Sequence, residues 1–514
     1  MNTGTGSPVA NASEILFDNL PAGREHRVAI RYDGNDITYG DLCRKASRAG
    51  NALTRLGLTP GNRILLVLLD TPHFPAVFLG AMRAGLIPIP VNTNLRQEDY
   101  AGIIEDSDAV AMLVDAALHA PRAAARRHRG TLRHQLIARG RDIPVDHDWD
   151  RHCDAAPDHL DPAPVPEGGE AFWLYSSGST GPPKGVVHTH RSIRHTIDAY
   201  ARGVLDMHET DRTFSASKAY HAYGLGNSVT FPCGVGASTV LLPDRPTPER
   251  VFAILEQERP SLFFTAPTHY AGLLADNSGH RDLSSLRLCV SAAEALPPSV
   301  YTAWRDRFGL EILDGIGSTE MLHIFISNRP GRVRPGTSGT EVPGYEVRIV
   351  DDGNVATRGA SGILEVRGDS RAREYWNHPE RTAATMPGEW FVTGDRYHQD
   401  ADGYYHYEGR ADDMFKVSGQ WVSPTEVENA LLQHPAVLEC AVVPFVDDAG
   451  LTRPRAVVRL KEPDRAGGGL VTELQHHVKT TLAPHTYPRR VEFVRALPRT
   501  ATGKIQRFQL RGES

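Results

Sequence analysis

Cysteine is scarce and scattered. Cys43, Cys153, Cys233, Cys289 and Cys440 are the five in 514 residues, and no two are close in the chain. Such spacing speaks against a zinc site and a disulfide framework, and suits a reducing compartment. Long apolar runs are also missing: residues 64–69, Ile-Leu-Leu-Val-Leu-Leu, fall far short of the ~20 needed to span a bilayer. Residues 1–12 are polar and small, without a charged-then-apolar signal design, so a cytoplasmic protein without membrane attachment is expected. There is no basic excess either. Lys and Arg number 56 against 62 Asp and Glu, a net charge of −6, which argues against nucleic acid as the main partner. The local cluster Arg122, Arg126, Arg127 and Arg129 reads as a solvated helix face.

What the chain does have is a run at 175–185, Tyr-Ser-Ser-Gly-Ser-Thr-Gly-Pro-Pro-Lys-Gly, directly after an apolar, strand-like stretch at 171–175. Glycines let a backbone curl until successive N–H groups point inward, and such a nest binds anions. Hydroxyls and Lys184 add donors, so a polyphosphate is the expected guest. The run is not the Walker pattern, because Pro183 precedes Lys184 and Gly185 follows it. A Ser/Gly-rich surface linker is the plain alternative, although a prolyl-stiffened lysine after a strand is not linker chemistry.

The length implies several domains, or one large composite unit and a smaller one. Residues 64–69 read as a buried parallel strand, 74–84 as a helix and 87–91 as the next strand. Strand-like runs recur at 110–114, 239–242, 262–266 and 286–291, pointing to an α/β fold with mostly parallel, helix-flanked sheets. Beyond about residue 339 the texture changes to short alternating strands (347–350, 362–367, 404–407), as in a distorted β-barrel or antiparallel sheet. The last hundred residues read as a compact α+β unit with a helix at 424–432. The expected division is 1–411 and 412–514.

Three further segments complete a pattern: Asp314-Gly-Ile-Gly-Ser-Thr-Glu320 after an apolar strand, Trp390-Phe-Val-Thr-Gly-Asp395 before a Gly409-Arg410 turn, and Pro498-Arg-Thr-Ala-Thr-Gly-Lys-Ile-Gln506. With the 175–185 run they resemble, in order and spacing, the adenylate-forming superfamily of acyl-CoA synthetases, peptide-synthetase adenylation domains and luciferases. The resemblance runs from about Tyr39 to Lys504. Gly317-Ser-Thr-Glu-Met-Leu-His-Ile-Phe325, Ser327-Asn-Arg-Pro330 and Ala222-Tyr-Gly-Leu-Gly-Asn227 are similar to the benzoate:CoA ligase branch.

The resemblance implies ATP-dependent activation of an aromatic acid to an acyl-adenylate, with Mg²⁺, followed by transfer to the thiol of coenzyme A. It assigns Ser176, Ser177, Gly178, Ser179, Thr180, Gly181 and Lys184 to the β,γ-phosphates, Thr319 to the α-phosphate and Glu320 to the metal. The plain alternative for Glu320 is a helix-start acid that satisfies the macrodipole. Ser291, Ala292, Ala293 and Glu294, with Asp314, Gly315 and Ile316, would line the nucleotide, Gly315 by close backbone approach. Asp395 would take the ribose hydroxyls and Arg410 would support it, although Thr-Gly-Asp by itself is a common turn. Lys504 would bridge carboxylate and α-phosphate from the small domain, Asp412 would be the hinge, and Gly419 would face the pantetheine channel.

The acyl pocket is expected around Tyr220, His221, Ala222, Tyr223, Gly224, Gly317, His323 and Ile324. The benzoate branch usually carries a second aromatic where His221 stands. His221 is therefore either an ordinary gate or a polar reader of a ring substituent, and His323 either a pocket wall or a core histidine. A carrier-protein phosphopantetheine in place of CoA, and a non-catalytic nucleotide-binding regulator, are the alternatives. Intact Lys184, Glu320, Asp395 and Lys504 argue against the latter. A monomer or a homodimer is compatible with the sequence.

Overall fold

The computed structural model describes residues 10–128, 130–140, 143–166, 168–176, 183–276, 278–417, 420–447, 450–499 and 505–511. Aliphatic runs set the first sheet. Its strands lie in the order Ile87–Pro90, Arg63–Val67, Ala111–Asp115, His134–Ala138, all pairs parallel. Alternate residues of the Arg63–Val67 strand enter different cores. Ile64 and Leu66 pack with Phe74 and Phe78 of the helix His73–Arg83, whereas Leu65 and Val67 pack with Tyr100, Ile103 and Ile104 of the helix Gln97–Ser107. Both faces are thus covered, which is why the strand reads as an unbroken apolar run.

A second, nine-stranded sheet carries six parallel strands at its centre: Ile312–Gly317, Leu288–Ser291, Leu262–Thr265, Arg212–Ser215, Ser238–Val240 and Val28–Tyr32. Antiparallel strands close its two ends, Asn35–Thr38 at one and Ile324–Ser327 with Thr340–Glu341 at the other. The segment 314–317, expected to follow a strand, is itself the end of one. A third sheet is the hairpin Glu170–Ser176 with Lys184–Thr189, extended by Glu374–Tyr375.

The distorted barrel expected after residue 339 takes the form of a five-stranded antiparallel sheet, joined through an isolated bridge from Tyr405 to Gly339. Here the structure corrects the turn expected at Gly409-Arg410 and replaces the plain turn reading of residues 393–395 with a strand. Trp390–Gln399 is one continuous strand paired with Tyr405–Arg410. Gly394, at φ 74°, supplies the left-handed residue that lets the strand deform without ending. The C-terminal unit has a core of its own, built from Phe415, Val422, Leu431, Val442 and Leu474. Its first helix, Pro424–Leu432, is capped by the Ser423 hydroxyl, which accepts the N–H of Glu426. All five cysteines are free thiols. Four are buried, and Cys153 is half-buried. Among the described residues no helix is long and apolar enough to cross a membrane.

The helices Tyr39–Arg55 and His73–Arg83 cross backbone to backbone. A Cβ on Gly80 would lie 2.2 Å from the Ala46 carbonyl oxygen. Gly80→Ala should therefore destabilise the fold by about 2 kcal/mol through overpacking. Gly102→Ala, in a helix where an added methyl meets nothing within 4 Å, should stabilise it by about 0.5–1 kcal/mol. Thermal unfolding of the two variants checks the contrast, and equal shifts would contradict the close crossing.

Candidate active site

Strand pairing brings three distant pieces of chain together around Lys184. The hairpin sets Ser176 opposite Lys184 across its mouth. Ser177, Gly178, Ser179, Thr180 and Gly181 lie outside the described residues, as do Gly419 and Lys504. On the far side of the Lys184 strand, Tyr375 pairs with Val186. The Tyr375 hydroxyl donates to Glu320 Oε1 at 2.8 Å, and the Glu320 carbonyl accepts the N–H of Ala372 at 2.7 Å. Lys184 is buried. Desolvation lowers its pKa, the Arg381 guanidinium adds to that, and Glu320 opposes both. The site is thus a half-buried carboxylate oriented by a phenol, with an ammonium group nearby.

Thr319 and Glu320 are positioned from behind. His188, fully buried one residue before the end of the Lys184–Thr189 strand, bonds through Nε2 to the Thr319 carbonyl at 2.8 Å. Burial pushes its pKa down to about 4, so the ring is neutral and Nε2 carries the donated proton. Neither His188 nor Tyr375 stood out in the sequence. No motif spacing links them to Glu320, because the link is made by cross-sheet register.

The nucleotide-lining candidates lie at the ends of adjacent parallel strands, with Ser291 and Asp314 register partners. Asp314 is buried, and burial pushes its carboxyl up to about 8 against a hydrogen bond from the Leu296 N–H at 3.3 Å. The Ser291 hydroxyl and the Gly315 N–H also favour the charged carboxylate, and apart from this mutual contact the buried Asp314 Oδ1 and Ser291 hydroxyl have no other partner among the described residues. Buried polar atoms so thinly partnered are costly. Ala293 adds a second sign of strain: it holds φ 78°, a left-handed conformation rare for a residue with a side chain. Glu294 accepts from the Thr268 hydroxyl at 2.7 Å and lies 4.0 Å from Arg499 of the C-terminal unit.

Gly315 and Gly317 leave room for their own hairpin. A Cβ on Gly315 would meet Ile324 Cγ2 and the Ile326 carbonyl at 2.8 Å, and one on Gly317 the His323 carbonyl at 2.5 Å. The close approach is to the neighbouring strand of their own hairpin. Asp395 and Arg410 are register partners, and Arg410 donates to Asp395 Oδ1 at 3.3 Å and to the Thr393 carbonyl at 2.8 Å. Asp412 is exposed and lies 3.4 Å from Arg410 Nε.

The acyl-pocket candidates cluster at the start of the helix Ala222–Leu225. Tyr220 and His221 meet edge to face with ring centres 4.5 Å apart, and Asn94 donates to the Tyr220 hydroxyl at 3.3 Å. The Tyr223 hydroxyl donates to the Val290 carbonyl at 3.1 Å. His323 is buried among Tyr200, Tyr223 and Phe231, and its Nε2 lies 3.1 Å from Asn227 Oδ1. Desolvation pushes its pKa down to about 3, so it is a neutral ring wedged under Gly226, where an added Cβ would sit 2.4 Å from its Cδ2.

A family model described as AMP-binding enzyme matches residues 17–376, and one described as the AMP-binding enzyme C-terminal domain matches residues 426–504. The chain belongs to the AMP-binding enzymes. The benzoate–CoA ligase of Thauera aromatica is 47% identical over 97% of this chain and 95% of its own length. The 4-hydroxybenzoate–CoA/benzoate–CoA ligase of Rhodopseudomonas palustris is 43% identical over 97% and 93%. Among solved structures, an anthranilate CoA ligase in complex with anthranoyl-AMP superposes with a TM-score of 0.94 at 39% identity, covering 99% of this chain and 98% of that one.

The Asp314 carboxyl gives this AMP-binding enzyme a testable pH signature. The folded chain keeps the proton up to about pH 8, whereas an unperturbed carboxyl loses it near 3.8. The folded state therefore binds more protons across that window, and stability falls as pH rises through it, by up to about 1.4 kcal/mol per pH unit. Asp314→Asn should remove this component. Urea unfolding of both proteins at pH 5 and pH 8 should show a smaller loss in the variant, and parallel losses would contradict the assignment.

Proposed function

We propose that this AMP-binding enzyme activates an aromatic carboxylic acid of the benzoate, hydroxybenzoate or aminobenzoate type and transfers it to coenzyme A. The observation that carries the proposal is likeness from end to end: relatives with benzoate and hydroxybenzoate CoA ligase names align over 97% of the chain. Those names favour coenzyme A over a carrier-protein phosphopantetheine as acceptor.

In the first step a carboxylate oxygen attacks the α-phosphorus of ATP, and the bond to the β-phosphate oxygen breaks, releasing pyrophosphate. In the second, the thiol sulfur attacks the acyl carbon, the carbon–oxygen bond to AMP breaks, and the thiol proton passes to solvent. No base is needed to ionise an aryl acid at neutral pH, so the enzyme's task is mainly to neutralise and position. We assign Ser176, residues 177–181 and Lys184 to the β,γ-phosphates, Thr319 to the α-phosphate, Ser291–Glu294 with Asp314 and Ile316 to the base, and Asp395 with Arg410 to the ribose. Tyr220–Gly224 would form the acyl pocket. Lys504 would neutralise the meeting anions, Asp412 would be the hinge between domains 1–411 and 412–514, and Gly419 would leave room for pantetheine.

The Glu320 carboxylate fits Mg²⁺, a hard cation that prefers oxygen. Among the described residues no group of three His, Cys, Asp or Glu could hold a metal alone, which suits an ion shared between one carboxylate and nucleotide phosphates. When bound it would supply charge neutralisation on those phosphates. The enzyme would act in the cytoplasm, as a monomer or homodimer.

Acid-dependent pyrophosphate release across a panel of aryl and aliphatic acids, with and without coenzyme A, tests the proposal. Release confined to aryl acids, with aryl-CoA formed when the thiol is present, is the expected result. Release with no acid, or with none of the panel, would defeat it. Lys504→Ala should lower adenylation by about 10²-fold or more while sparing thioester formation from supplied acyl-adenylate. Equal losses in the two half-reactions would contradict the role of Lys504.

A further inference from the structure

The backbone that carries Tyr220, His221 and Tyr223 is anchored from outside by a buried carboxylate and a half-buried ammonium group. Asp70 follows the strand Arg63–Val67 of the first sheet, and its side chain is 4% exposed. Its Oδ1 accepts the N–H of Ala219 at 3.2 Å, and its Oδ2 lies 3.8 Å from Lys218 Nζ. The Lys218 ammonium also donates to the carbonyls of Leu242, Pro243 and Asp244, just after the strand Ser238–Val240 of the second sheet. The Lys218 carbonyl in turn accepts the N–H of His221 at 3.0 Å. It also sets the distance to the pocket helix, since a Cβ on Gly224 would lie 2.1 Å from it.

We propose, on the acyl-pocket reading just given, that Asp70 and Lys218 are positioning residues that set acid affinity by fixing the 218–224 backbone between the two sheets. A buried carboxylate with a half-buried ammonium group is an expensive way to hold a loop, and apolar packing would serve stability as well. What the pair supplies is direction. One carboxylate grips a single amide, and one ammonium grips three carbonyls, so the loop has little freedom to slide. The residues they fix face the acid, whereas Lys184, Glu320 and Asp395 stand on other segments. Loosening the loop should therefore weaken the acid and leave the nucleotide alone.

The test is steady-state kinetics on the full chain with benzoate and ATP varied separately. Asp70→Ala and Lys218→Met should each raise the acid KM by about tenfold, with the ATP KM within about twofold, as expected for misplacement of a substrate-facing loop. Asp70→Asn keeps an oxygen acceptor for the Ala219 amide without the charge and should restore most of the acid affinity. If a single variant fails to fold, Asp70→Asn/Lys218→Met removes both charges together and is read by the same split. An unchanged acid KM, or acid and ATP KM rising together, would overturn the proposal. Ala222→Leu separates the two levels. If it leaves the acid KM unchanged, the pocket reading fails and takes the proposal with it. If it raises the acid KM while the Asp70 and Lys218 variants do not, only the positioning role is lost.

Discussion

Like charges that must meet where water is scarce set the terms for this molecule. Two unit charges 4 Å apart at an effective dielectric of about 20 repel by roughly 4 kcal/mol, and an acid and a nucleotide phosphate present several such pairs. On the proposed site the answer is a lysine with its side chain drawn into the protein, near a carboxylate whose direction is fixed by a phenol. Burial makes the Lys184 ammonium less comfortable by itself, and negative charge nearby makes it more so. The phosphate proposed to arrive beside it would relieve an existing cost.

Strand register achieves that preparation. Glu320 stands after the end of a strand in the large sheet, Tyr375 in a short strand added to the hairpin, and Lys184 in the hairpin itself. A slip of one residue in the Tyr375 pairing would turn the phenol to the opposite face. The Trp376 indole, which donates to the Asp106 carbonyl at 2.9 Å, and Arg63, stacked 3.9 Å from the Trp376 ring, hold that register against the first sheet. The parallel sheets supply the rigid frame, and the added hairpin carries the polar chemistry at their edge.

The parts legible in the sequence were those with local causes. Aliphatic runs at 64–67 and 262–265 are strands because both faces are buried, and 424–432 is a helix because Ser423 and Pro424 start it. The order of the Gly-, Ser- and Thr-rich segments was legible because each is a contiguous requirement. Gly409-Arg410 and the triplet at 393–395 have turn chemistry locally, while pairing of the strands Trp390–Gln399 and Tyr405–Arg410 overrides it. The packing of Gly315 was not legible: its missing side chain makes room for the adjacent strand, and nothing within a few residues says so. Tyr375 was invisible because it sits 55 residues from the carboxylate it orients.

The cysteines carry a consequence for the proposed transfer to a thiol. Every turnover of that reaction would bring a free sulfhydryl into the protein, and any accessible thiolate of its own would be open to mixed disulfides once an oxidant is near. Burial pushes Cys43 and Cys289 up to about 12 and also raises Cys153, Cys233 and Cys440. Since exchange proceeds through the thiolate, such side chains are chemically silent at neutral pH. A sulfur-bearing substrate of the proposed kind would pass through without derivatising the protein.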